Sequence, residues 1–305
     1  MHDPSPAAVA AFSQRALDDD LGEPRLVVAW PAREAVLLGA FQPGREAGLG
    51  AHASLPRWRR ASGGAAARVG PGVLYVGLSL PHPGALAPAT CDQILNRAVR
   101  PLLRALTRVA APTHYFGRDW LSSGKRPVGL VAFGHDAGTR RTVVEAFVSL
   151  ASSALPDVAR ASYGGRAPAT FAELRGDREA VDPARVEAAL AEAFGLPVHP
   201  LPALEVPPEA ASDPARIARV EEAIGPIFSW RDEGLRIRLG GELMASRDRV
   251  AWLEARVSEA RAPDDATLGA WVDEAFRPAA PPVALFGVRS LGSIRDALRA
   301  ALATE

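Results

Sequence analysis

An arginine pair followed by small residues is the segment of this sequence best suited to binding an anion. Arg59 and Arg60 precede Ser62-Gly63-Gly64, and Gly70-Pro71-Gly72 follows a few residues later. Glycines let the backbone come close to a ligand, successive N–H groups can hold an anion, and arginine pairs with phosphate or carboxylate. The alternative is a Gly-rich hairpin turn with solvated arginines, and composition alone leaves both open.

Lys125 also stands out, because it is the single lysine of the chain. The 305 residues include 35 Lys and Arg, so the other 34 basic positions are arginine. Lysine is a compact charge on a long flexible stem, which suits stabilisation of negative charge that develops during a reaction. We expect Lys125 to mark a site where a guanidinium does not serve; the alternative is a surface lysine with no role.

Charge and cysteine content exclude several classes of protein. Asp and Glu also number 35, and the formal net charge of zero argues against nucleic-acid binding and against a basic membrane anchor. The sequence contains no apolar run long enough for a membrane span and no recognisable signal peptide. One cysteine, Cys91, excludes an internal disulfide and a Cys-rich metal site, so we expect a cytoplasmic protein. His114 and His135 lack a metal-ligand spacing and are expected to be structural or exposed.

Short apolar runs and a few amphipathic stretches predict the elements that hold these residues. Strands are expected where β-branched, aromatic and leucine residues cluster, at residues 25–30, 35–41, 55–62, 72–81, 114–121, 127–134 and 142–150. Helices are expected at residues 6–20, 91–109 and 182–195. The hairpin-like succession of strands predicts an α+β fold with a mixed, largely antiparallel sheet and flanking helices, and not a doubly wound sheet.

The last third of the chain predicts a second domain. Prolines crowd residues 199–211, so this segment is the expected linker between a domain of residues 1–198 and a small α+β domain of residues 212–305. Within the second domain, Asp213-Pro214 predicts the start of a helix that continues to about Ile224. The composition of residues 247–261 favours a helix but leaves a strand open. Further predictions are a hairpin of residues 234–239 and 242–246 around Gly240-Gly241, and helices at residues 266–276 and 290–302.

Four motifs, in order, resemble those of the lipoate-protein ligase family, which belongs to the superfamily of biotin and lipoate ligases and octanoyltransferases. They are VLLGAFQ (36–42), RRASGG (59–64), GPG (70–72) and GKRPVG (124–129). The C-terminal segment resembles the accessory domain that many lipoate ligases carry. The resemblance implies a class II synthetase-like sheet of the biotin/lipoate ligase fold. It also implies activation of lipoate or octanoate by ATP as an acyl-adenylate, and transfer of the acyl group to a lysine of a carrier domain.

The same resemblance implies roles for individual residues. An ungapped comparison puts the family's essential lysine at Arg126, but the retained lysine one place earlier favours Lys125 as the catalytic residue. Asp119 would help to hold Mg²⁺. The partner would be the lipoyl or acyl carrier domain of a 2-oxoacid dehydrogenase or of the glycine cleavage protein. The adenylate and acyl group would be bound by residues of the Gly-rich motifs, namely Arg60, Ser62, Gly63, Gly64, Ala65, Gly70, Gly72 and Gly129.

Two other functions stay open. An octanoyltransferase would need no ATP but would use a cysteine nucleophile, and the family's cysteines lie in segments that this chain lacks, which counts against this function. Cys91 lies at an expected helix start, which lowers the pKa of a thiol, but it is expected to be a small, partly buried structural residue. A catalytically weakened paralogue would bind a carrier domain or lipoate without turnover. Departures from the family motifs favour this last function: Ala65 replaces a glycine, Val69 replaces a histidine, and residues 128–131 differ.

Overall fold

The protein is described by a computed structural model. The residues described are 4–19, 22–44, 49, 52–117, 119–155, 165–176, 181–209, 216–222, 225–260, 263–278 and 281–303. No helix among them is long and apolar enough to cross a membrane.

The elements up to residue 199 include four helices and ten strands among the described residues. In chain order they are α1 (Pro6–Asp18), β1 (Arg25–Ala29), β2 (Ala35–Leu38), β3 (Arg57–Arg59), β4 (Ala67–Val69), β5 (Val73–Leu80), α2 (Ile94–Val109), β6 (His114–Tyr115), β7 (Trp120–Ser123), β8 (Arg126–His135), β9 (Thr142–Ser149), α3 (Phe171–Arg175), α4 (Pro183–Phe194) and β10 (Val198–His199). The later elements are β11 (Ala218–Val220), β12 (Ile227–Arg231), β13 (Ile237–Gly241), β14 (Met244–Ala245), α5 (Arg247–Glu259), α6 (Asp265–Phe276), β15 (Leu285–Phe286) and α7 (Leu291–Leu302).

A seven-stranded sheet forms the centre of the molecule, with the strand order β10-β1-β5-β9-β8-β7-β6. Neighbouring strands pair antiparallel, except for β10 beside β1, which is parallel. The predicted mixed, largely antiparallel α+β sheet is therefore confirmed. β5 and β9 are buried along all eight of their residues. Strands covered on both faces carry nearly continuous apolar runs, which is why these two were readily predicted.

Different elements cover the two faces of the large sheet. On one face, α2 and α4 pack against alternate residues of the central strands, such as Leu74, Val76 and Val148. On the other face, α1 and a three-stranded sheet of order β3-β2-β4 cover Tyr75 and Phe147. Because successive side chains of a strand point to opposite faces, each central strand contributes to both layers.

The C-terminal unit, residues 216–303, has its own apolar core, formed by α5, α6, α7 and the sheet β11-β12-β13. Helices α6 and α7 confirm the two that the sequence predicts, and the ambiguous segment from residue 247 is helix α5. The unit docks on the preceding elements. Arg247 pairs with Asp18 at 2.6 Å and with Asp136 at 3.4 Å, and the Gly241 N–H donates to the Phe41 carbonyl at 2.8 Å.

The hairpin predicted around Gly240-Gly241 is wrong. Both glycines lie inside β13, which pairs with the earlier strand β12. A Cβ on Gly240 would lie 2.3 Å from the Phe41 carbonyl oxygen, so glycine serves close packing here and not a turn. The turn falls instead after Asp232, whose carboxylate accepts the backbone N–H of Gly234 at 3.0 Å.

The helix predicted from Asp213 to about Ile224 is also wrong where it can be compared. Ala218–Val220 form the edge strand β11, with Ala218 opposite Ser229 of β12. Pairing with β12 and packing against the core of the unit override the local helix signal. Asp213-Pro214 and Ile224 themselves lie outside the described residues.

The Pro-rich segment runs along the N-terminal elements as far as residue 209. Trp58 Nε1 donates to the Val206 carbonyl at 3.0 Å, and the Glu209 N–H donates to the Arg57 carbonyl at 2.7 Å. At the start of the segment, Val198–His199 form β10 beside β1. These contacts hold the described part of the segment to the sheet region, and the predicted domain boundaries remain predictions.

Candidate active site

The Gly-rich loop, residues 60–66, connects β3 to β4 and lies against one face of the large sheet. The Arg60 N–H donates to the Leu38 carbonyl of β2 at 2.9 Å, and the Gly63 N–H donates to the Phe133 carbonyl of β8 at 2.8 Å. These bonds hold the loop between the small sheet and the large one. The side chains of Arg60, Ser62 and Ala65 on this loop are buried.

Arg60 is a buried cation with unused donors. Its side chain is 1% exposed, Nη2 donates to the Ala65 carbonyl at 2.9 Å, and Cζ lies 4.9 Å from the centre of the Phe147 ring. Nε and Nη1 form no hydrogen bond with any part of the chain that the structure describes. Burial lowers the pKa of the guanidinium, and the nearby Glu145 charge raises it. Burying charged donors without partners is costly, so the site is prepared for an acceptor from outside.

Glu145 on β9 is the acidic neighbour of Arg60. Its carboxylate accepts a hydrogen bond from the Tyr75 hydroxyl at 2.7 Å and another from the Ser62 hydroxyl. Burial raises the pKa of Glu145, while the Arg60 charge and the two hydroxyl donors lower it. Burial also raises the pKa of Tyr75, so the phenol stays protonated and donates. Arg60, Ser62, Tyr75 and Glu145 are called the buried polar cluster below.

Gly63 and Gly64 allow close packing, and their N–H groups are already used. A Cβ on Gly63 would lie 2.3 Å from the Leu243 carbonyl oxygen, and Gly64 has φ of +105°, where other residues are strained. The Gly64 N–H donates to the same Leu243 carbonyl at 3.1 Å. The predicted anion nest is therefore capped by the C-terminal unit in this arrangement. Ala65 is buried beside it, among the apolar residues under α1.

Gly70, Gly72 and Gly129 lie toward one end of the large sheet, away from the buried polar cluster. Gly72 directly precedes β5, and its carbonyl accepts N–H groups from the chain just after β9. Gly129 pairs with Val148, three residues beyond Glu145 on β9. The structure does not bring these glycines to the cluster, and their role in binding the adenylate or acyl group remains a prediction.

Lys125 lies in the turn between β7 and β8. Gly124 and Lys125 have φ of +54° and +65°, as a two-residue hairpin turn requires. Lys125 is exposed. Phe133, whose carbonyl holds Gly63 of the loop, lies eight positions farther along the chain, about 26 Å along an extended strand. Arg126, the neighbour at the ungapped family position, donates to the Pro168 carbonyl. The structure does not bring Lys125 to the buried polar cluster, and its catalytic role remains a prediction.

Asp119 is fully buried just before β7, where its carbonyl accepts the Val131 N–H at 2.7 Å. Burial, with a smaller effect of the Asp119 charge, raises the pKa of Tyr115. The described residues contain no group of three His, Cys, Asp or Glu side chains that could hold a metal ion. A Mg²⁺ ion beside Asp119 would therefore need most of its ligands from phosphate oxygens and water.

Cys91 and His135 form a buried pair that the sequence pattern does not indicate. The Cys91 Sγ lies 3.4 Å from Nε2 of His135, and Nδ1 of His135 lies 3.1 Å from the Arg141 carbonyl oxygen and 3.0 Å from Thr142 Oγ1. The Pro282 carbonyl also forms a hydrogen bond with His135, so both ring nitrogens have a possible acceptor and these contacts do not fix which one carries the proton. Burial raises the pKa of Cys91 and lowers that of His135, so it favours the neutral form of each.

A cleft of about 540 Å³ separates the C-terminal unit from the loop that follows β2. Arg59, the other arginine of the motif, lines it and pairs with Glu209 at 2.7 Å. Arg238, also in the lining, pairs with Asp232 at 2.8 Å and with Glu254 at 3.0 Å. These charges neutralise one another, so the cleft has less to offer an anion than the buried polar cluster.

The chain resembles known proteins in its structure but not in its sequence. No protein-family model matches the chain, and no curated protein matches it in sequence. Among solved structures, P. falciparum LipL1 in complex with lipoate matches with a TM-score of 0.63 at 10% identity, over 99% of this chain and 97% of that one.

This chain has the lipoate-protein ligase fold. The match to LipL1 extends over both the large sheet and the C-terminal unit, so the predicted fold class is confirmed. Two partial matches have lower scores. They are a bipartite lipoate protein ligase from Thermoplasma acidophilum with its E2 lipoyl domain (TM-score 0.46, 14% identity, 65% of this chain and 82% of that one) and lipoate-protein ligase A bound with ATP (0.46, 13%, 64% and 81%).

Arg60, Ser62, Gly63, Gly64 and Ala65 lie together on the Gly-rich loop because they are contiguous in the sequence, and their role in binding the adenylate or acyl group remains a prediction. Glu145 and Tyr75 were missed, although a signal was present. Glu145 is the single charged residue of β9, whose other residues are apolar except for Thr142 and Ser149 at its ends, and a charge inside a strand buried on both faces needs a partner.

Proposed function

We propose that the protein is an enzyme of the lipoate-protein ligase type, which activates lipoate or octanoate with ATP and transfers the acyl group to a carrier lysine. The fold shared with LipL1, which was solved in complex with lipoate, supports a ligase of this class. The observation that carries the proposal is Arg60, a buried cation on the Gly-rich loop with two unused N–H donors. A guanidinium fits both the carboxylate of an acyl acid and the phosphate of an adenylate.

The first step joins the acyl acid to the nucleotide. A carboxylate oxygen of lipoate or octanoate attacks the α-phosphorus of ATP, and pyrophosphate leaves with the electron pair of the broken P–O bond. Arg60 would hold the anionic carboxylate, and then the phosphate of the adenylate, in a place from which water is excluded. Asp119 would help to hold Mg²⁺, which supplies positive charge for the leaving pyrophosphate.

The second step moves the acyl group to the carrier. The amine of the carrier lysine attacks the acyl carbonyl, AMP leaves with the electron pair of the C–O bond, and the amine loses a proton. The family resemblance assigns to Lys125 the stabilisation of negative charge on the reacting carbonyl or phosphate, a role that requires the β7–β8 turn and the Arg60 loop to come closer together than they are in this structure. The acceptor would be the carrier domain of a 2-oxoacid dehydrogenase or of the glycine cleavage protein.

The proposal is tested by incubating the protein with ATP, Mg²⁺ and lipoate or octanoate, with and without an apo carrier domain. We expect pyrophosphate release with either acid and, with the carrier present, an acylated lysine detected by mass spectrometry. Arg60→Met should abolish both, while Arg236→Met, at an exposed position of the C-terminal unit, should not. Binding of the carrier without adenylate formation from any acid would instead indicate the weakened paralogue.

A second candidate function is an acyl transfer that needs no ATP, and the contact between Cys91 and His135 favours it. In the tautomer that carries its proton on Nδ1, His135 could take the proton of Cys91 through Nε2 as the sulfur attacks an acyl thioester. The displaced thiol would leave with a proton, and a thioester would remain on Cys91. Incubation with octanoyl-CoA alone, followed by mass spectrometry of the intact chain, should then show an octanoyl adduct that Cys91→Ser lacks. Absence of that adduct removes this candidate.

A further inference from the structure

Arg60 and Glu145 are opposite charges that lie close together, and yet each forms its hydrogen bonds with other groups. The two carboxylate oxygens of Glu145 accept from Ser62 and Tyr75. The guanidinium of Arg60 donates to the Ala65 carbonyl and keeps Nε and Nη1 unused. The charges nevertheless act on each other, because each shifts the pKa of the other toward its ionised form.

This arrangement differs from a structural ion pair. A buried pair that only holds the fold together gains most when the guanidinium meets the carboxylate with two hydrogen bonds. Here the carboxylate neutralises the charge of Arg60 without blocking its donors. The donors remain available to an anion that arrives at the Gly-rich loop.

We propose that Glu145 is the internal counter-ion of Arg60, which the anionic group of the substrate replaces on binding, and that Glu145 thereby determines how strongly the site binds a carboxylate or a phosphate. The inference rests on the proposed function, because the anion in question is that of the acyl acid or of its adenylate. It adds a specificity-determining residue that the sequence motifs do not contain.

The charge balance of the buried polar cluster gives this proposal a measurable consequence. Without ligand, one cation and one anion are buried together. An incoming anion leaves the cluster with one excess negative charge in a medium of low dielectric constant. Glu145 relieves the excess by taking up a proton, so binding of the anion is linked to proton uptake.

The surroundings of Glu145 contain no other charge that would do this among the described residues that act on it. Its electrostatic partners are Arg60, Ser62 and Tyr75. The neighbouring strands place Gly77 of β5 and Ala132 of β8 opposite to it. From α1, the apolar ring of Phe12 packs edge-on against Tyr75. Arg59 acts on Arg60, whose pKa it lowers.

The experiment measures binding of octanoate, AMP and octanamide to the full chain by titration calorimetry, at about pH 6 and about pH 8.5. Octanoate and AMP distinguish a carboxylate from a phosphate as the anion, and octanamide is an uncharged analogue of octanoate. We expect the affinity for octanoate to fall by up to about tenfold per pH unit above the pKa of Glu145, with up to one proton taken up. Because the phosphate of AMP itself titrates at about pH 6, the effect of Glu145 on AMP binding is the difference between the wild type and Glu145→Gln. The affinity for octanamide should not depend on pH.

Glu145→Gln is the deciding variant, and Glu192→Gln, at an exposed ion pair with Arg108, is its matched control. Glu145→Gln should bind the anion about tenfold or more tightly at pH 8.5, with no proton uptake. Its melting temperature should be lower than that of the wild type and should rise more on addition of the anion, because the ligand supplies the missing charge. A merely structural loss would lower the melting temperature and leave the response to the anion unchanged.

A second variant keeps the test decisive if Glu145→Gln does not fold. Tyr75→Phe removes one donor to the carboxylate, so the pKa of Glu145 rises and the loss of anion affinity should begin at a higher pH. Binding that is independent of pH in wild type and variant, or no binding of either anion at any pH, overturns the proposal. Proton-linked binding without adenylate formation supports the role of Glu145 and contradicts only the proposed enzymatic function. Turnover that is the same in the wild type and in Glu145→Gln supports the enzymatic function and contradicts the role of Glu145.

Discussion

The two faces of β9 carry different chemistry within one strand. Val144, Ala146 and Val148 pack under α2 and α4, whereas Glu145 and Phe147 face the Gly-rich loop and α1. The first face is apolar and adds to stability in the ordinary way. The second buries a carboxylate and a guanidinium, which oppose stability unless they are compensated. Because buried charges are costly, we place the proposed site on this second face.

The largest effect is expected from removing the cation on the charged face. Arg60→Met leaves Glu145 as an uncompensated buried charge, and the free energy of unfolding at neutral pH should fall by about 3–5 kcal/mol. Urea denaturation measures it. The double variant Arg60→Met/Glu145→Gln should recover part of the loss. A loss below about 1 kcal/mol would mean that the two charges do not depend on each other.

A substitution on the apolar face serves as the comparison for Arg60→Met. Leu102 of α2 is buried in the core under that face, and Leu102→Ala should lower the free energy of unfolding by about 2–5 kcal/mol through lost burial and a residual cavity. The affinity for octanoate should stay as in the wild type, measured by calorimetry at one pH. A change in affinity comparable to that of Arg60→Met would show that the two faces are not functionally separate.

A smaller effect is expected where the loop meets the C-terminal unit. Gly63→Ala places a Cβ 2.3 Å from the Leu243 carbonyl oxygen, so the backbone of one partner must move. The free energy of unfolding should fall by about 1–3 kcal/mol. Gly138→Ala is the control, because its Cβ would meet only the Asp136 carboxylate at 3.5 Å. Equal stability of the two variants would mean that the C-terminal unit can shift away without loss.

The charged face should also make stability depend on pH. Because burial raises the pKa of Glu145 above its ordinary value of 4.5, the folded chain holds this proton more tightly than the unfolded chain does. Stability from this group is therefore greatest below pH 4.5 and falls as the pH rises through the pKa of the folded state. Each pH unit between the two pKa values removes about 1.4 kcal/mol. Denaturation of Glu145→Gln over the same range should lack this slope.

The smallest effect on stability is expected far from both faces. Lys125 is exposed, and Lys125→Arg should change the free energy of unfolding by less than about 0.5 kcal/mol. Its turnover in the acyl-transfer assay should nevertheless fall by at least about tenfold if a compact charge is needed there. Turnover equal to that of the wild type would remove Lys125 from the site.

The strands of the large sheet could be predicted because burial on both faces leaves an unambiguous apolar run, as in residues 73–80 and 142–149. The short strands β4 and β10 could not, since two or three residues form a strand only through their partners. In the C-terminal unit, Gly240-Gly241 was misassigned because glycine has the same local signal in a turn and in a tightly packed strand.

The residues of the candidate site also differ in whether the sequence could indicate them. Arg60 and Ser62 belong to a contiguous motif, so a resemblance could indicate them. Glu145 and Tyr75 come from two strands that meet only in the folded sheet, and a periodicity that predicts a strand does not say what stands opposite. His135 and Cys91 are likewise 44 residues apart, and their contact depends on where α2 crosses the sheet.

The exposed hairpin turn at Lys125 has a chemical consequence for the whole surface. Acyl-adenylates are electrophiles that modify amines without discrimination, and the arginines at the 34 other basic positions stay protonated and unreactive. Under the proposed function, an acyl-adenylate that escaped from the site would therefore find one lysine side chain of this chain to acylate. For the same reason, Lys125 is the single lysine side chain that amine-directed dyes or surface-coupling reagents could modify.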